Sequence, residues 1–197
     1  MRGKNASVLI LAGGKSLRMG YPKPYLPKSG TTLLNSIIRL YESCGFDNIT
    51  VVLNKEFSEG VWADKYKKTV EAAHIILNGN AELGRSHSIG LGLAANSDTP
   101  YCFIQNIDTV LKKTEAIEKI WDKRAMSDYI CPVYQGRRGH PVLLSGKIIK
   151  NIIRLEGEPY ILKELLLSYQ AAEVKVSDSG VLTNINTRYD YSKIVAV

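Results

Sequence analysis

The chain has 197 residues, of which 45% are hydrophobic and 23% are charged, and its formal net charge is +7. This composition is typical of a globular protein forming one domain over residues 1–197, and it excludes a disordered tail, a collagen and a membrane bundle. No Asp or Glu precedes Glu42, so all the excess positive charge lies in the N-terminal fifth, which favours an anionic partner: nucleic acid, an acidic membrane surface or a phosphorylated small molecule.

In the first half of the chain, apolar runs alternate with helical periods. Strands are predicted at 7–12, 48–53, 73–77 and 101–105, and helices at 31–44, 56–68, 85–95 and 113–125. Thr31 is the expected N-cap of the first helix, and Gly45 is expected to end it. The regular alternation predicts a three-layer α/β/α fold with a mostly parallel sheet.

The second half is less regular. The pattern predicts strands at 129–134, 140–145, 172–176 and 181–185, helices at 146–153 and 159–168, and a C-terminal helix. In open α/β sheets, ligands bind beyond the carboxyl ends of the strands. Functional side chains are therefore expected in the segments that follow each strand.

A loop with two glycines and three cations follows the first predicted strand. Gly13 and Gly14 allow the backbone to approach a ligand closely, and consecutive N–H groups in such a bend can bind an anion. Lys15, Arg18 and Lys23 add positive charge with no acid nearby. The spacing matches neither a P-loop nor a dinucleotide-binding fingerprint. The loop therefore predicts a phosphate-binding site of another kind, the alternative being an ordinary turn with solvated cations.

A carboxylate follows the fourth predicted strand. Asp108 stands where an acidic side chain can hold Mg²⁺ between phosphate groups. The alternative is an aspartate that caps a turn.

The loop resembles the signature loop of the MobA-like nucleotidyltransferases. It shares the run Leu11-Ala-Gly-Gly14 followed by Arg18-Met-Gly20 and Lys23. That superfamily has a GT-A-like nucleotidyltransferase fold, and it includes the guanylyl- and cytidylyltransferases of molybdenum cofactor maturation. Further markers follow in the family's order along nearly the whole chain.

The resemblance implies a site for the nucleotide. In it, Arg18 would bind the leaving pyrophosphate, Lys23 would neutralise charge on the α-phosphate, and Asp108 would be the third catalytic residue. The full set of nucleotide-binding residues implied in this way is Leu11, Ala12, Gly13, Gly14, Lys15, Arg18, Lys23, Asn80, Ser86, Ser88 and Asp108. Val110 departs from the family, which usually has Pro there.

The resemblance also implies a metal and an acceptor. In the segment Asn184-Ile-Asn-Thr187, Asn186 would join Asp108 as a ligand of Mg²⁺ or Mn²⁺, and Asn184 is the weaker candidate. Arg138 and His140 lie in a segment similar to the Gly-His-Pro-Val motif of the cytidylyltransferase branch, and they would face the phosphate of the acceptor. Other markers favour the GTP-using branch, so both CTP and GTP stay open as the NTP substrate.

The function implied is transfer of NMP from the NTP to a phosphate monoester, molybdopterin above all, with release of pyrophosphate. A molybdoenzyme or its chaperone would be the protein partner. Three alternatives stay open: a sugar or polyol phosphate as acceptor, a non-catalytic nucleotide-binding regulator on the same fold, and a nucleic-acid-binding protein. The last is disfavoured, because the cations cluster in one loop without interleaved aromatic residues.

Location is inferred from cysteine usage and from apolar runs. Cys44, Cys102 and Cys131 have no metal-ligand or paired spacing, which favours reduced thiols. The apolar run at 8–12 is shorter than the roughly 7–15 residues of a secretory core, and no run reaches the ~18 residues of a membrane span. The prediction is a cytoplasmic protein with neither a membrane nor a nucleic acid as partner.

Overall fold

The computed structural model describes residues 3–69 and 73–195, and its main feature is one eight-stranded mixed sheet. Arg2, one of the cations in the N-terminal fifth of the chain, lies outside the described residues. The strands of this sheet are β1 (Ser7–Ala12), β4 (Asn48–Asn54), β5 (His74–Asn78), β6 (Tyr101–Asn106), β7 (Tyr129–Tyr134), β8 (Arg137–Arg138), β9 (Val142–Ser145) and β10 (Ala171–Lys175). A separate hairpin pairs β2 (Pro27–Lys28) with β3 (Thr31–Thr32).

The strand order is β10-β7-β9-β6-β1-β4-β5, with β8 paired to β7. β1 lies between β4 and β6 and is parallel to both. β9 runs antiparallel to β6 and to β7 and is the main departure from a parallel sheet. The carboxyl ends of β1 and β6 therefore meet at the same edge, as the α/β pattern predicts.

Helices cover both faces of the sheet. They are α1 (Leu33–Ser43), α2 (Ala63–Thr69), α3 (Gly84–Ala94), α4 (Glu115–Asp122), α5 (Gly146–Arg154), α6 (Leu162–Leu165) and α7 (Arg188–Val195). Alternate residues of β1 pack into two cores: Val8 and Ile10 join α1 and α4 on one side, and Leu9 joins α3 and α5 on the other. All six residues of β1 are buried because a core covers each face of the strand, which explains its continuous apolar run. The three-layer α/β/α prediction is confirmed.

Local predictions fail where side-chain contacts outweigh periodicity. The strand predicted at 181–185 is wrong: the chain forms a 3-10 turn over Ser179–Leu182 and then continues without regular structure. Val181 and Ile185 are buried singly there, and the Ile185 N–H donates to the carbonyl of Asp108 instead of to a strand. The N-cap of the first helix is one residue later than expected, because the Thr32 hydroxyl, and not that of Thr31, accepts from the N–H of Asn35.

Two predicted helices are shorter than their patterns. The segment predicted as a helix at 56–68 begins as 3-10 turns, and only Ala63–Thr69 is α-helical. The helix predicted at 159–168 is reduced to α6 and a following 3-10 turn.

All three cysteines are buried and unpaired. Within residues 3–69 and 73–195, none of the helices has the length and apolarity needed to cross a bilayer.

Candidate active site

An open cleft of about 730 Å³ lies at the carboxyl ends of β1 and β6. It brings together twelve of the residues predicted from sequence: Leu11, Ala12, Gly13, Gly14, Lys15, Arg18, Lys23, Ser88, Asp108, Arg138, His140 and Asn186. Asn184 also lines it, whereas Asn80 and Ser86 do not.

The cleft carries strong positive charge. Its lining includes five cationic side chains, those of Lys15, Arg18, Lys23, Arg85 and Arg138. Asp108 is the one acid among its lining residues. A concave surface of this kind focuses positive potential and favours a polyanionic ligand.

The centre of the cleft is a contact among three distant segments. The ammonium nitrogen of Lys23 lies 3.2 Å from Oδ2 of Asp108 and 3.1 Å from Oδ1 of Asn186. The Lys23 and Asp108 side chains are 13% and 24% exposed, so the pair is partly shielded from water. One oxygen from the turn after β6 and one from the irregular segment before α7 thus converge on one cationic atom.

The loop after β1 places Lys23 through a constrained turn. Ser16 and Gly20 both adopt left-handed backbone conformations, with φ of 53° and 64°. The buried side chain of Met19 anchors the loop, and the Ser16 hydroxyl accepts from the N–H of Lys23 at 3.3 Å. The guanidinium of Arg188 donates to the Met19 carbonyl at 3.4 Å, which ties the loop to the C-terminal helix. A non-glycine residue in this conformation is uncommon and needs such surrounding contacts.

Asn186 is placed by the start of α7. One carboxylate oxygen of Asp190 accepts from the N–H groups of Asn186 and Thr187, at 3.0 and 2.8 Å. These hydrogen bonds, the one from Asn186 first, lower the pKa of Asp190 and keep it ionised. The N–H of Ile185 donates to the Asp108 carbonyl at 3.0 Å, so the same segment is fixed beside the end of β6.

Gly13 has a structural as well as a binding reason to be glycine. A Cβ added there would lie 2.8 Å from the Ser88 hydroxyl, which itself accepts from the Asn78 amide at 3.1 Å. The side-chain oxygen Oδ1 of Asn78 accepts from the backbone N–H of Asn80 at 2.8 Å. The Ser88 hydroxyl is therefore engaged in holding β1, β5 and α3 together, while the exposed Asn80 is fixed through its backbone.

The two residues predicted to face an acceptor also line the cleft. Nε of Arg138 pairs with Glu173 at 2.6 Å, and its Nη1 donates to the Tyr129 hydroxyl at 3.3 Å. The backbone N–H of His140 donates to the Val181 carbonyl at 2.9 Å, and the imidazole Nδ1 is buried without a partner within the described residues. Burial first, and the charge of Arg85 second, lower the pKa of His140 to about 4, so its imidazole is neutral at pH 7.

Sequence reasoning missed Arg85 and Asn106. Arg85 lies in the first turn of α3, and its guanidinium donates to the Asn106 side-chain oxygen at the end of β6. Both residues line the cleft. The available signal was their position, because Asn106 ends β6 two residues before Asp108 and Arg85 opens the helix that follows β5.

The donor set suits a hard divalent cation that is shared with a ligand. No group of three His, Cys, Asp or Glu side chains that could hold a metal occurs in the part of the chain that the structure describes. The Asp108 and Asn186 oxygens nevertheless converge on one cationic atom. Mg²⁺ commonly takes one or two protein oxygens and fills its remaining positions with water and phosphate oxygens. The residues present fit such an ion.

Known proteins resemble this chain in sequence. The family model described as the MobA-like NTP transferase domain matches residues 8–173. The molybdenum cofactor cytidylyltransferase of Escherichia coli K12 is 26% identical over 186 residues, which cover 93% of this chain and 92% of that protein. The bifunctional protein GlmU of Clostridioides difficile is 28% identical over 149 residues, which cover 75% of this chain but only 31% of GlmU.

Solved structures share the fold. Rv0371c of Mycobacterium tuberculosis superposes with a TM-score of 0.81 at 22% identity, with 100% of both chains covered. A second structure, the complex of that protein with manganese, gives a TM-score of 0.74 at 19% identity, with 97% of both chains covered.

The contact at Gly13 generates a first prediction. Gly13→Ala inserts a methyl group against the Ser88 hydroxyl, and overpacking of this kind costs about 1–3 kcal/mol. Gly14→Ala is the matched control, since no atom lies within 4 Å of the Cβ position there. Urea denaturation of the nucleotide-free proteins should show a lower free energy of unfolding for Gly13→Ala alone. Equal stability of the two variants would contradict the packing described here.

The depressed pKa of His140 generates a second prediction. In the unfolded protein this histidine has its ordinary pKa of 6.5, whereas in the folded protein its pKa is about 4. Between these two pH values, the unfolded protein binds a proton that the folded protein does not. His140 therefore lowers stability as pH falls, by about 2 kcal/mol between pH 7 and pH 5. His140→Gln should remove that part of the pH dependence, whereas the exposed control His74→Gln should retain it. The free energy of unfolding of the three proteins is measured by urea denaturation between pH 5 and pH 7. An identical pH dependence in all three would exclude a buried neutral imidazole.

Proposed function

The chain belongs to the MobA-like NTP transferase domain family, and we propose that it transfers NMP from CTP or GTP to a phosphate monoester and releases pyrophosphate. The observation that carries this proposal is the meeting of Lys23, Asp108 and Asn186 in a cleft whose other wall is the glycine loop. Such a centre has the charges needed to hold a triphosphate.

The reaction joins two anions. A phosphate oxygen of the acceptor attacks the α-phosphorus of the NTP, a new P–O bond forms, and the bond to the bridging oxygen of the β-phosphate breaks. Pyrophosphate departs with that electron pair. The attacking monoester needs no strong general base, because its second pKa near 6 leaves it largely deprotonated at neutral pH.

The chain's own residues offset the charge that develops. Lys23 would contact the α-phosphate, and Arg18, which is exposed on the same loop, would contact the pyrophosphate. Consecutive backbone N–H groups near Gly13 and Gly14 would bind the β- and γ-phosphates. Preorganised donors of this kind stabilise the transition state without reorganising during the reaction.

We further propose that Asp108 and Asn186 hold Mg²⁺ or Mn²⁺ with the phosphates. The ion would neutralise charge on the triphosphate and orient it. The manganese complex of the mycobacterial relative supports a divalent cation in this fold. Asn186 is a neutral ligand, so the ion would depend mainly on Asp108 and the nucleotide for compensating charge.

Molybdopterin is the acceptor we favour, because the Escherichia coli relative that spans the whole chain is named a molybdenum cofactor cytidylyltransferase. A molybdoenzyme or its chaperone would then receive the product. A sugar or polyol phosphate is the second candidate, because the glycine loop would contact only the triphosphate and would not select the acceptor.

A single substitution tests the proposed chemistry. Asp108→Ala should reduce pyrophosphate release by at least about a hundredfold, the usual order for losing one preorganised electrostatic group. The folded state should remain, since the two side chains line an open cleft and the Lys23 ammonium left behind can still reach water, and thermal unfolding of the variant checks this. The matched control is Asp128→Ala, which breaks another Asp–Lys pair, with Lys147, outside the cleft.

The shift in melting temperature with CTP, GTP, UTP and ATP, each with Mg²⁺, first identifies the base. Pyrophosphate release is then measured with molybdopterin and with sugar phosphates as acceptors. Normal turnover by a well-folded Asp108→Ala protein would refute the assignment of Asp108. Absence of a shift with all four nucleotides would refute the proposed function itself.

A further inference from the structure

We infer that Asp178 is a positioning residue, whose carboxylate fixes the segment before Asn186 against the turn that carries Asp108 and thereby sets how the two proposed metal ligands face each other. This inference rests on the proposed function and deepens it. Asp178 does not line the cleft, and it is 4% exposed. Among the residues that the structure describes, it is the one buried acid. A role in the site must therefore act through other residues.

This carboxylate joins two segments of the chain. Its Oδ2 accepts from the N–H groups of Lys112 and Lys113, at 2.7 and 3.1 Å. Its Oδ1 accepts from the N–H of Gly180 at 2.7 Å. The two lysines follow Asp108 by four and five positions, and Gly180 precedes Asn186 by six. One oxygen therefore holds the segment after β6, and the other holds the segment before α7.

The two segments stay in contact between this carboxylate and the site. A Cβ added at Gly180 would collide with the Val110 carbonyl, so the two backbones touch there. Further along, the N–H of Ile185 donates to the Asp108 carbonyl at 3.0 Å. Residues 183–186 form neither helix nor strand. The position of this stretch, which includes the second proposed metal ligand, therefore depends on contacts between the two segments.

Only a carboxylate can satisfy all three N–H groups. It has two acceptor oxygens and no donor, whereas the amide of Asn has one oxygen and one NH₂ group. A buried charge is costly unless it is hydrogen-bonded, and hydrogen bonds to an ionised acceptor are stronger than neutral ones. The two segments contribute buried apolar side chains here, those of Val110, Leu111, Val176 and Val181. The bonds that join the segments are therefore also those that stabilise the charge.

One of the three hydrogen bonds is local and two are not. Gly180 lies two positions after Asp178, and the side chains of Asp and Ser both accept from the backbone at that spacing. Lys112 and Lys113 are 66 and 65 positions away along the chain. A residue that only caps a turn needs the local bond alone. The two long-range bonds indicate that this carboxylate aligns distant segments.

The test is Mn²⁺ binding in the presence of a non-hydrolysable analogue of CTP or of GTP, followed through the electron paramagnetic resonance signal of the free ion. Asp178→Asn keeps the size of the side chain but cannot accept on both sides. Asp178→Ser keeps the local bond but is too short to reach Lys112 and Lys113. Each variant should bind Mn²⁺ about tenfold to a hundredfold less tightly, the usual effect of removing a group that orients a metal ligand. The affinity for the analogue without a divalent cation, measured by calorimetry, should not change.

Asp128→Asn is the matched control. Oδ2 of Asp128 accepts from the backbone N–H of Gln170 at 3.1 Å, outside the cleft. This variant also replaces a carboxylate that holds a backbone N–H, yet it should bind Mn²⁺ as the unaltered chain does. All the proteins are compared below the onset of thermal unfolding, so that a loss of stability alone does not change the affinity.

Hydrogen exchange of the unaltered chain tests the same coupling without a substitution. The chain is first saturated with the analogue, and Mg²⁺ is then added. Exchange at the N–H groups of Lys112, Lys113 and Gly180 should slow, although none of them lines the cleft, because coupling between two sites is reciprocal. The N–H of Gln170 is the control and should exchange at an unchanged rate. If Asp178 only stabilised the fold, added Mg²⁺ would leave all four rates unchanged.

Three results would overturn the inference. These are unaltered Mn²⁺ affinity in a folded Asp178→Asn or Asp178→Ser protein, an equal loss of affinity in Asp128→Asn, and exchange at Lys112, Lys113 and Gly180 that does not respond to Mg²⁺. The last of these decides the matter even if neither Asp178 variant folds. Failure of the proposed function has a different signature, since the unaltered chain would then bind neither analogue, with or without the ion.

Discussion

One ammonium group connects the parts of this molecule that matter for its chemistry. Nζ of Lys23 contacts Asp108, 85 positions along the chain, and Asn186, 163 positions along. Without ligands, the lysine compensates the carboxylate and keeps the amide oxygen beside it. The same three groups are those that a bound triphosphate and its cation would engage. Under the proposed function, the structure without ligands would already hold a charge arrangement close to the one that the reaction requires.

The sheet makes this contact possible. β1 and β6 are adjacent and parallel, so the loop that carries Lys23 and the turn that carries Asp108 leave the sheet at the same edge. The third group arrives by a different route, because the chain near Asn186 is irregular and is fixed by hydrogen bonds to the Asp108 carbonyl and to Asp190.

The sequence predicts the parts of the site that depend on local pattern. The run of apolar residues in β1, the glycine loop and the strand-end Asp108 are readable, because each follows from period, turn chemistry or position. The strand predicted at 181–185 was wrong, since tertiary hydrogen bonds and single buried side chains decide that segment. Arg85 was missed for a related reason. It lines the cleft only because α3 packs beside the end of β6, and no local pattern encodes that packing. The neutral state of His140 likewise depends on burial by distant segments.

The most direct measurement of the central contact is Mn²⁺ binding to the nucleotide-free protein, followed through the electron paramagnetic resonance signal of the free ion. The unaltered chain should bind Mn²⁺ weakly, because Lys23 already occupies the two oxygens. Lys23→Met should bind it about tenfold more tightly, since a nearby like charge is removed. Adding Asp108→Asn to Lys23→Met should abolish that gain. If Lys23→Met binds Mn²⁺ no better than the unaltered chain, the three groups do not form one cation-binding centre and the account fails.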